Sequence, residues 1–159
     1  MTQKKIGKPK KEKLWQELKK RGEDKNLTSG DLVQLIMESS GALQKEFFKE
    51  LAKFVFTKHG VTQSRLFILM KYALDKEIEW LINGSWKLLK KSYPTVETLI
   101  FIVKYAHKEK TKKEAWNLIK KEELTDRELE DLESVVVINS EIARIKDDRR
   151  NIIEELKSL

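Results

Sequence analysis

Hydrophobic residues recur at intervals of three and four along most of the chain, rather than at alternate positions. Between Leu43 and Val55, for example, the apolar side chains at 43, 47, 51, 54 and 55 share one side of a helix. Only two prolines and six glycines interrupt the 159 residues, so long helical stretches are left intact. The pattern predicts an all-α protein, built as a compact helical bundle.

The helical pattern divides the chain into three regions. Residues 1–25 are predicted to form a basic arm and a short helix, which runs from about Lys10 to Arg21. Residues 26–125 are predicted to form the helical bundle. Residues 126–159 contain neither glycine nor proline and are predicted to form one long C-terminal helix. At 1.5 Å per residue, such a helix would be about 50 Å long.

Capping sequences and glycines predict where several helices begin and end. Thr28, Thr111 and Thr125 are each followed three positions later by an acidic residue, which is the spacing of a capping box. Helices are therefore expected to begin near residues 30, 112 and 126. Gly41 is expected to mark a break, and Gly60 to follow the end of the next helix.

Two apolar segments are expected at the centre of the bundle. Residues 62–82 are apolar nearly all round in their first half, which is typical of a buried helix, and Gly84 is expected to stop it. A lysine-rich turn or short helix is expected over residues 86–91. Pro94 is expected to open the second central helix.

In the last region, the apolar positions follow the three-four spacing of a coiled coil. Towards the start of this region, the line of apolar residues shifts by one position. The first part of the helix is therefore expected to dock on the bundle and the remainder to project. Two alternatives remain open: residues 139–159 fold back on the body of the same chain, or residues 135–138 form a strand. Arg149 is interpreted as a polar residue that sets the register. The residues predicted to form the oligomerisation seam are Val135, Ile138, Ile142, Ile145, Arg149, Ile152, Leu156 and Leu159.

The net charge of +7 is distributed unevenly along the chain. Residues 1–25 and 85–121 carry net charges of +6 and +7, whereas residues 122–159 carry −6. Of the 33 basic residues, 27 are lysines, which act as point charges for phosphates, whereas arginine is the usual reader of guanine edges. The charge pattern therefore predicts contact with a nucleic-acid backbone and disfavours the reading of a base sequence in duplex DNA.

Aromatic residues are interleaved with the lysines of residues 85–121, a mixture that holds single strands in other proteins. Trp86 is equally compatible with stacking and with burial, whereas Trp116 is expected to anchor the core. Two other interpretations of the lysines stay open, namely the surface charge of a thermophilic protein and contact with an acidic protein. The residues predicted to bind nucleic acid are Lys4, Lys5, Lys8, Lys10, Lys11, Lys13, Trp86, Lys87, Lys90, Lys91, Lys108, Lys110, Lys112 and Lys113.

The sequence contains no motif for catalysis, metal binding or a cofactor. It has no cysteine, which excludes disulfides and thiolate metal sites, and no glycine-rich phosphate loop or nucleophile elbow. His59 and His107 lie near predicted helix C-termini, where an imidazolium complements the helix dipole. No apolar run approaches the roughly 20 residues that span a bilayer. We therefore expect a cytoplasmic, non-enzymatic protein that needs no metal or cofactor and contacts no membrane.

In size, helicity and lysine content, the chain is similar in kind to the small helical subunits of type III CRISPR effector complexes. It is also similar in kind to accessory replication proteins and virus-encoded proteins of thermophilic archaea. This resemblance of class carries over no residue roles. The favoured hypothesis is a nucleic-acid-binding accessory protein, for DNA or RNA, that assembles with itself or a protein partner through its C-terminal helix. The alternative is an interaction or scaffold subunit of a larger complex that does not itself contact nucleic acid.

Overall fold

The fold is described from a computed structural model, which covers residues 28–57 and 62–159 and, before them, Gln16 alone. Side chains of the first range are described up to residue 55. Within these ranges the secondary structure is entirely helical, which confirms the predicted fold class. The chain divides into two compact units, Met1–Pro94 and Thr95–Leu159.

In the first unit, one pair of helices packs on another. α1 lies against α2 and α3, and α4 lies against α3 and α2. The bounds are α1 Ser29–Glu38, α2 Gly41–Thr57, α3 Gln63–Asp75 and α4 Glu79–Lys91.

Two predicted helix boundaries of this unit are confirmed. The hydroxyl of Thr28 accepts a hydrogen bond from the backbone N–H of Asp31, and the Asp31 carboxylate accepts one from the N–H of Thr28, which completes a capping box at the start of α1. Gly41 separates α1 from α2 with a φ of +62°, a conformation that glycine adopts at little cost. The predicted helix end before Gly60 lies outside the described residues.

The predicted helix over residues 62–82 is in fact two helices, because the chain turns at Glu77, which has a φ of +55°. The expected stop at Gly84 is also wrong, since this glycine lies inside α4. A Cβ atom at Gly84 would lie 2.6 Å from Cζ of Phe48 on α2. The ring of Phe48 packs edge-on against Trp80, with 5.7 Å between the ring centroids. Gly84 therefore allows close approach of two helices and does not end one.

In the second unit, α5 packs against α6 and α7, and α8 packs against α7. A 3₁₀ turn that precedes α8 also contacts α6. The bounds are α5 Val96–Tyr105, α6 Glu109–Leu118, α7 Asp126–Leu132 and α8 Asn139–Lys157, with 3₁₀ turns at Lys121–Glu123 and Val136–Ile138.

Two of the three predicted helix starts in this unit are confirmed. Thr95 caps α5, and Thr125 forms a complete capping box with Glu128 at the start of α7. The third is wrong, because α6 begins at Glu109 rather than near residue 112. Thr111 therefore lies buried in the first turn of the helix and does not cap it.

The predicted continuous helix over residues 126–159 is interrupted between α7 and α8, and the alternative strand over residues 135–138 is also wrong. Leu129, Leu132, Val135 and Ile138 are all buried, and successive members are three residues apart. In a straight α-helix each such step rotates the side chain by roughly 60° relative to the preceding one, which would spread the four over opposite sides. The turn and the 3₁₀ segment bring all of them into the core of the unit.

Replacing Gly84 by alanine should destabilise the first unit by about 1–3 kcal/mol, because the new methyl group collides with the ring of Phe48. The loss is expected although alanine favours helix by about 1 kcal/mol over glycine. Urea unfolding measures this loss of stability. Asn83→Ala, at the neighbouring exposed position of α4, is the matched control and should be neutral or stabilising. Equal stability of the two variants would contradict the close-approach role.

Candidate nucleic-acid interface

The predicted nucleic-acid-binding residues fall into three groups along the chain. The six lysines of the arm, at positions 4, 5, 8, 10, 11 and 13, lie outside the described residues. The second group belongs to α4 in the first unit and the third to α6 in the second unit.

Three lysines, Lys87, Lys90 and Lys91, lie exposed on the last turns of α4 and are called the α4 lysines below. The expected lysine-rich turn over residues 86–91 is thus the second half of this helix. Lys90 and Lys91 lie in its last turn, where positive charge complements the helix dipole. Stabilisation of the end of α4 therefore explains the presence of Lys90 and Lys91 without any ligand.

Trp86 is not available as a stacking side chain in this structure, which corrects the stacking interpretation. Its side chain is only 5% exposed and belongs to the core of the first unit. The ammonium of Lys90, one turn later, lies 5.5 Å from the centroid of its ring. Trp116 is 1% exposed and confirms the expected core anchor, with Lys121 at 4.9 Å from its ring.

The first turns of α6 carry three further lysines, Lys110, Lys112 and Lys113, called the α6 lysines below. Lys110 and Lys113 are exposed, Lys112 is half-buried, and Lys108 occupies the N-cap position without a side-chain cap. The N-terminus of a helix carries partial positive charge, so each exposed lysine there is unfavourable by about 0.3–1 kcal/mol. The sequence thus concentrates cations at an end of a helix that favours anions.

The carboxylates of the second unit pair with cations other than the α6 lysines. In the part of the chain that the structure describes, no salt bridge reaches Lys110, Lys112 or Lys113. Ion pairs that connect different segments of this unit include Lys104–Asp131 at 2.8 Å, Lys146–Glu133 at 3.1 Å and Arg149–Asp126 at 3.0 Å.

Lys104 forms an ion pair with Asp131 and is therefore less available to a ligand than an unpaired lysine. The hydrogen bond to the Asp131 carboxylate raises the pKa of Lys104 above its ordinary value, although partial desolvation acts in the opposite direction. The pair joins α5 to α7, so Lys104, unlike the α6 lysines, has a carboxylate partner.

The predicted oligomerisation seam is split by the fold. Val135, Ile138 and Ile142 are buried within the second unit, which agrees with the fold-back alternative for the start of α8. Arg149 contacts other residues of its own unit. It donates hydrogen bonds to the Asp126 carboxylate and to the backbone carbonyl of Lys121, and Ile145 is half-buried. The remaining seam residues, which are more than half exposed, are Ile152, Leu156 and Leu159.

Two exposed aromatic residues, Tyr93 and Tyr105, were not among the predicted site residues. Tyr93 follows α4, and its side chain is 91% exposed. Its position directly before Pro94 is a sequence signal that the helix ends there, because the residue before a proline is biased away from helix, but this signal does not predict exposure.

Neither a metal centre nor a membrane segment is found in the described ranges. No three histidine or carboxylate side chains there converge on a point that would hold a metal ion. None of the described helices combines the length and the apolar character needed to cross a bilayer. A groove between α7 and α8 is lined by charges of both signs, including Asp126, Glu130, Arg150 and Lys157, so it does not select an ion of either sign.

A comparison of the chain with protein-family models, with curated proteins and with solved structures finds no match.

Replacing Asp131 by alanine should lower the pKa of Lys104 toward its ordinary value, because the hydrogen bond that raises it is lost. An NMR titration of the Lys104 side chain measures the shift, with Glu130→Ala as the neighbouring control. Since the folded-state pKa of this cation is raised, its stabilising contribution is fully present below the ordinary lysine pKa and is lost as the pH rises through the raised value. An unchanged pKa in Asp131→Ala would contradict the assigned cause.

Proposed function

We propose that this protein is a non-enzymatic, nucleic-acid-binding accessory protein that contacts the phosphate backbone through exposed lysines. The observation that carries the proposal is the set of α6 lysines, which lie at the positive end of a helix without carboxylate partners in the described chain. Phosphates supply the missing negative charge, and the release of their counterions contributes favourable free energy.

The lack of partners for the α6 lysines does not follow from a shortage of carboxylates. Residues 95–159 contain 13 basic and 15 acidic side chains. Asp126, Asp131 and Glu133 are placed where they pair with cations of other helices. The positive surface on α6 is therefore a property of how the unit arranges its charges, which favours a role for that surface.

A comparison with helix α2 argues against the alternative that the α6 lysines are ordinary surface charge. Two of the three lysines of α2 pair with glutamates three residues earlier in the same helix, Lys49 with Glu46 and Lys53 with Glu50. Such pairs are typical of a solvated helix face. The α6 lysines form no such salt bridge in the described chain, although Glu109 lies three positions before Lys112, so the placement of the side chains and not the sequence spacing distinguishes the two helices.

The α4 lysines provide a second basic surface in the first unit, and the arm contributes six more lysines on sequence grounds alone. Because nearly all of these cations are lysines, binding is expected to follow the charge of the backbone rather than its base sequence.

Reversing two α6 charges, with Lys112→Glu and Lys113→Glu together, should weaken binding to a polynucleotide about tenfold or more at low salt. The slope of log affinity against log salt should become shallower by about two, because two phosphate contacts are lost. The melting temperature should stay unchanged or rise, since carboxylates suit a helix N-terminus. Fluorescence anisotropy at several salt concentrations measures both affinity and slope.

The matched control is Lys49→Glu with Lys53→Glu, which changes the net charge equally on the paired surface of α2. It should leave the salt slope nearly unchanged. Equal losses in the two double variants would show that total charge, and not the α6 surface, governs binding.

A second candidate function is protein interaction, and the C-terminal end of α8 favours it. Four large apolar side chains there are more than half exposed within eight residues, whereas single exposed apolar residues are ordinary. They continue the three-four spacing past the docked part of the helix, which is the pattern of self-association through a helical seam. These residues are Ile152, Ile153, Leu156 and Leu159.

Replacing Ile152 and Leu156 by aspartate should convert an associating protein into a monomer, because each buried seam side chain contributes about 2 kcal/mol per chain. Since both residues are exposed within the chain, the melting of the dissociated unit should change little. Sedimentation velocity measures the state of association. Asn151→Asp with Ser158→Asp adds the same charge to α8 and should leave association intact. A wild-type protein that is monomeric at tens of micromolar would rule out self-association.

A further inference from the structure

Tyr93 combines two unusual features at the position that follows the end of α4. Its backbone has a φ of +55°, a conformation that is rare for bulky residues, and its side chain is 91% exposed. In the described part of the chain, no hydrogen bond or ring contact involves this side chain. Unusual backbone conformations persist where surrounding structure maintains them, and they cluster at functional sites. The exposed ring is therefore available to a partner outside the chain.

The end of α4 determines where this ring emerges. Ser92 closes the helix, because its backbone N–H and its hydroxyl both donate to the carbonyl of Leu89, at 3.0 and 2.9 Å. Tyr93 follows directly, in the same unit as the α4 lysines and within two residues of the nearest of them. An aromatic face and three ammonium groups thus lie on neighbouring positions at one helix end.

The other aromatic side chains of the described chain are less available. Trp86 and Trp116 are buried, and Tyr105, which is 53% exposed, packs against Phe101 with 4.7 Å between ring centroids. Tyr93 has the most exposed aromatic side chain among the described residues. If a base stacks on this protein, the structure favours Tyr93 as the surface that receives it.

We propose that Tyr93 is the stacking surface for an unpaired base and that the α4 lysines hold the adjoining phosphates. The ligand class is then single-stranded DNA or RNA, because bases inside a duplex are already stacked and offer no free face to a side chain. This assignment rests on the proposed function. It adds that the bound nucleic acid is single-stranded and that Tyr93 is the residue that distinguishes single strands from duplexes.

The test uses the full chain and the variant Tyr93→Gly, which removes the ring and tolerates the positive φ. Affinity for a fluorescent oligothymidylate should fall at least about fivefold, since stacking of one base is lost. The salt slope should not change, because no charge is removed, and the melting temperature should be maintained or raised. Tyr93→Trp should retain binding, and Tyr105→Ala is the control that should bind like the wild type.

Two outcomes would overturn the inference and leave the proposed function standing. One is wild-type affinity in Tyr93→Gly, and the other is binding of wild type to a duplex of the same length as tightly as to the single strand. Failure of the wild type to bind either nucleic acid would overturn the proposed function and this assignment together. If Tyr93→Gly lowers the melting temperature, Tyr93→Leu provides the same affinity test, because it keeps an apolar side chain and loses only the aromatic face.

Discussion

In the second unit, carboxylates on and next to α7 form ion pairs with cations of other segments. Asp126 and Asp131 on α7, together with Glu133 just after it, pair with Arg149, Lys104 and Lys146. These contacts join α7 to α5 and α8, and the burial of Ile138 and Ile142 keeps the start of α8 on its own unit. The α6 lysines have no carboxylate partner in the described chain, and the apolar end of α8 is exposed.

Much of the fold was predictable, because the three-four periodicity and the capping sequences are local signals. The starts at Thr28 and Thr125 depend only on residues three positions apart. Gly84 was misinterpreted because its role depends on Phe48, a residue 36 positions away that only the packing brings near. The break after Leu132 was predictable in principle, since apolar residues repeated strictly every three positions cannot share one face of a straight helix.

The candidate site was predictable in composition but not in detail. Lysine content indicates phosphate contact, yet which lysines have carboxylate partners depends on the tertiary arrangement of α5, α7 and α8. Trp86 seemed a candidate for stacking because lysines surround it in the sequence. However, Ile82 and Leu89 lie four positions before and three after it, on the same buried face. Tyr93 was overlooked because its exposure arises from a helix end rather than from a periodic pattern.

The most direct test of the central claim is lysine footprinting, in which acetylation of each lysine is measured by mass spectrometry with and without a single-stranded oligonucleotide. The account predicts that the α6 lysines lose reactivity when the oligonucleotide binds, whereas Lys104 and Lys146 keep the same reactivity in both states, because each already holds a carboxylate. Unchanged reactivity of the α6 lysines, or equal protection of all these lysines, would contradict it.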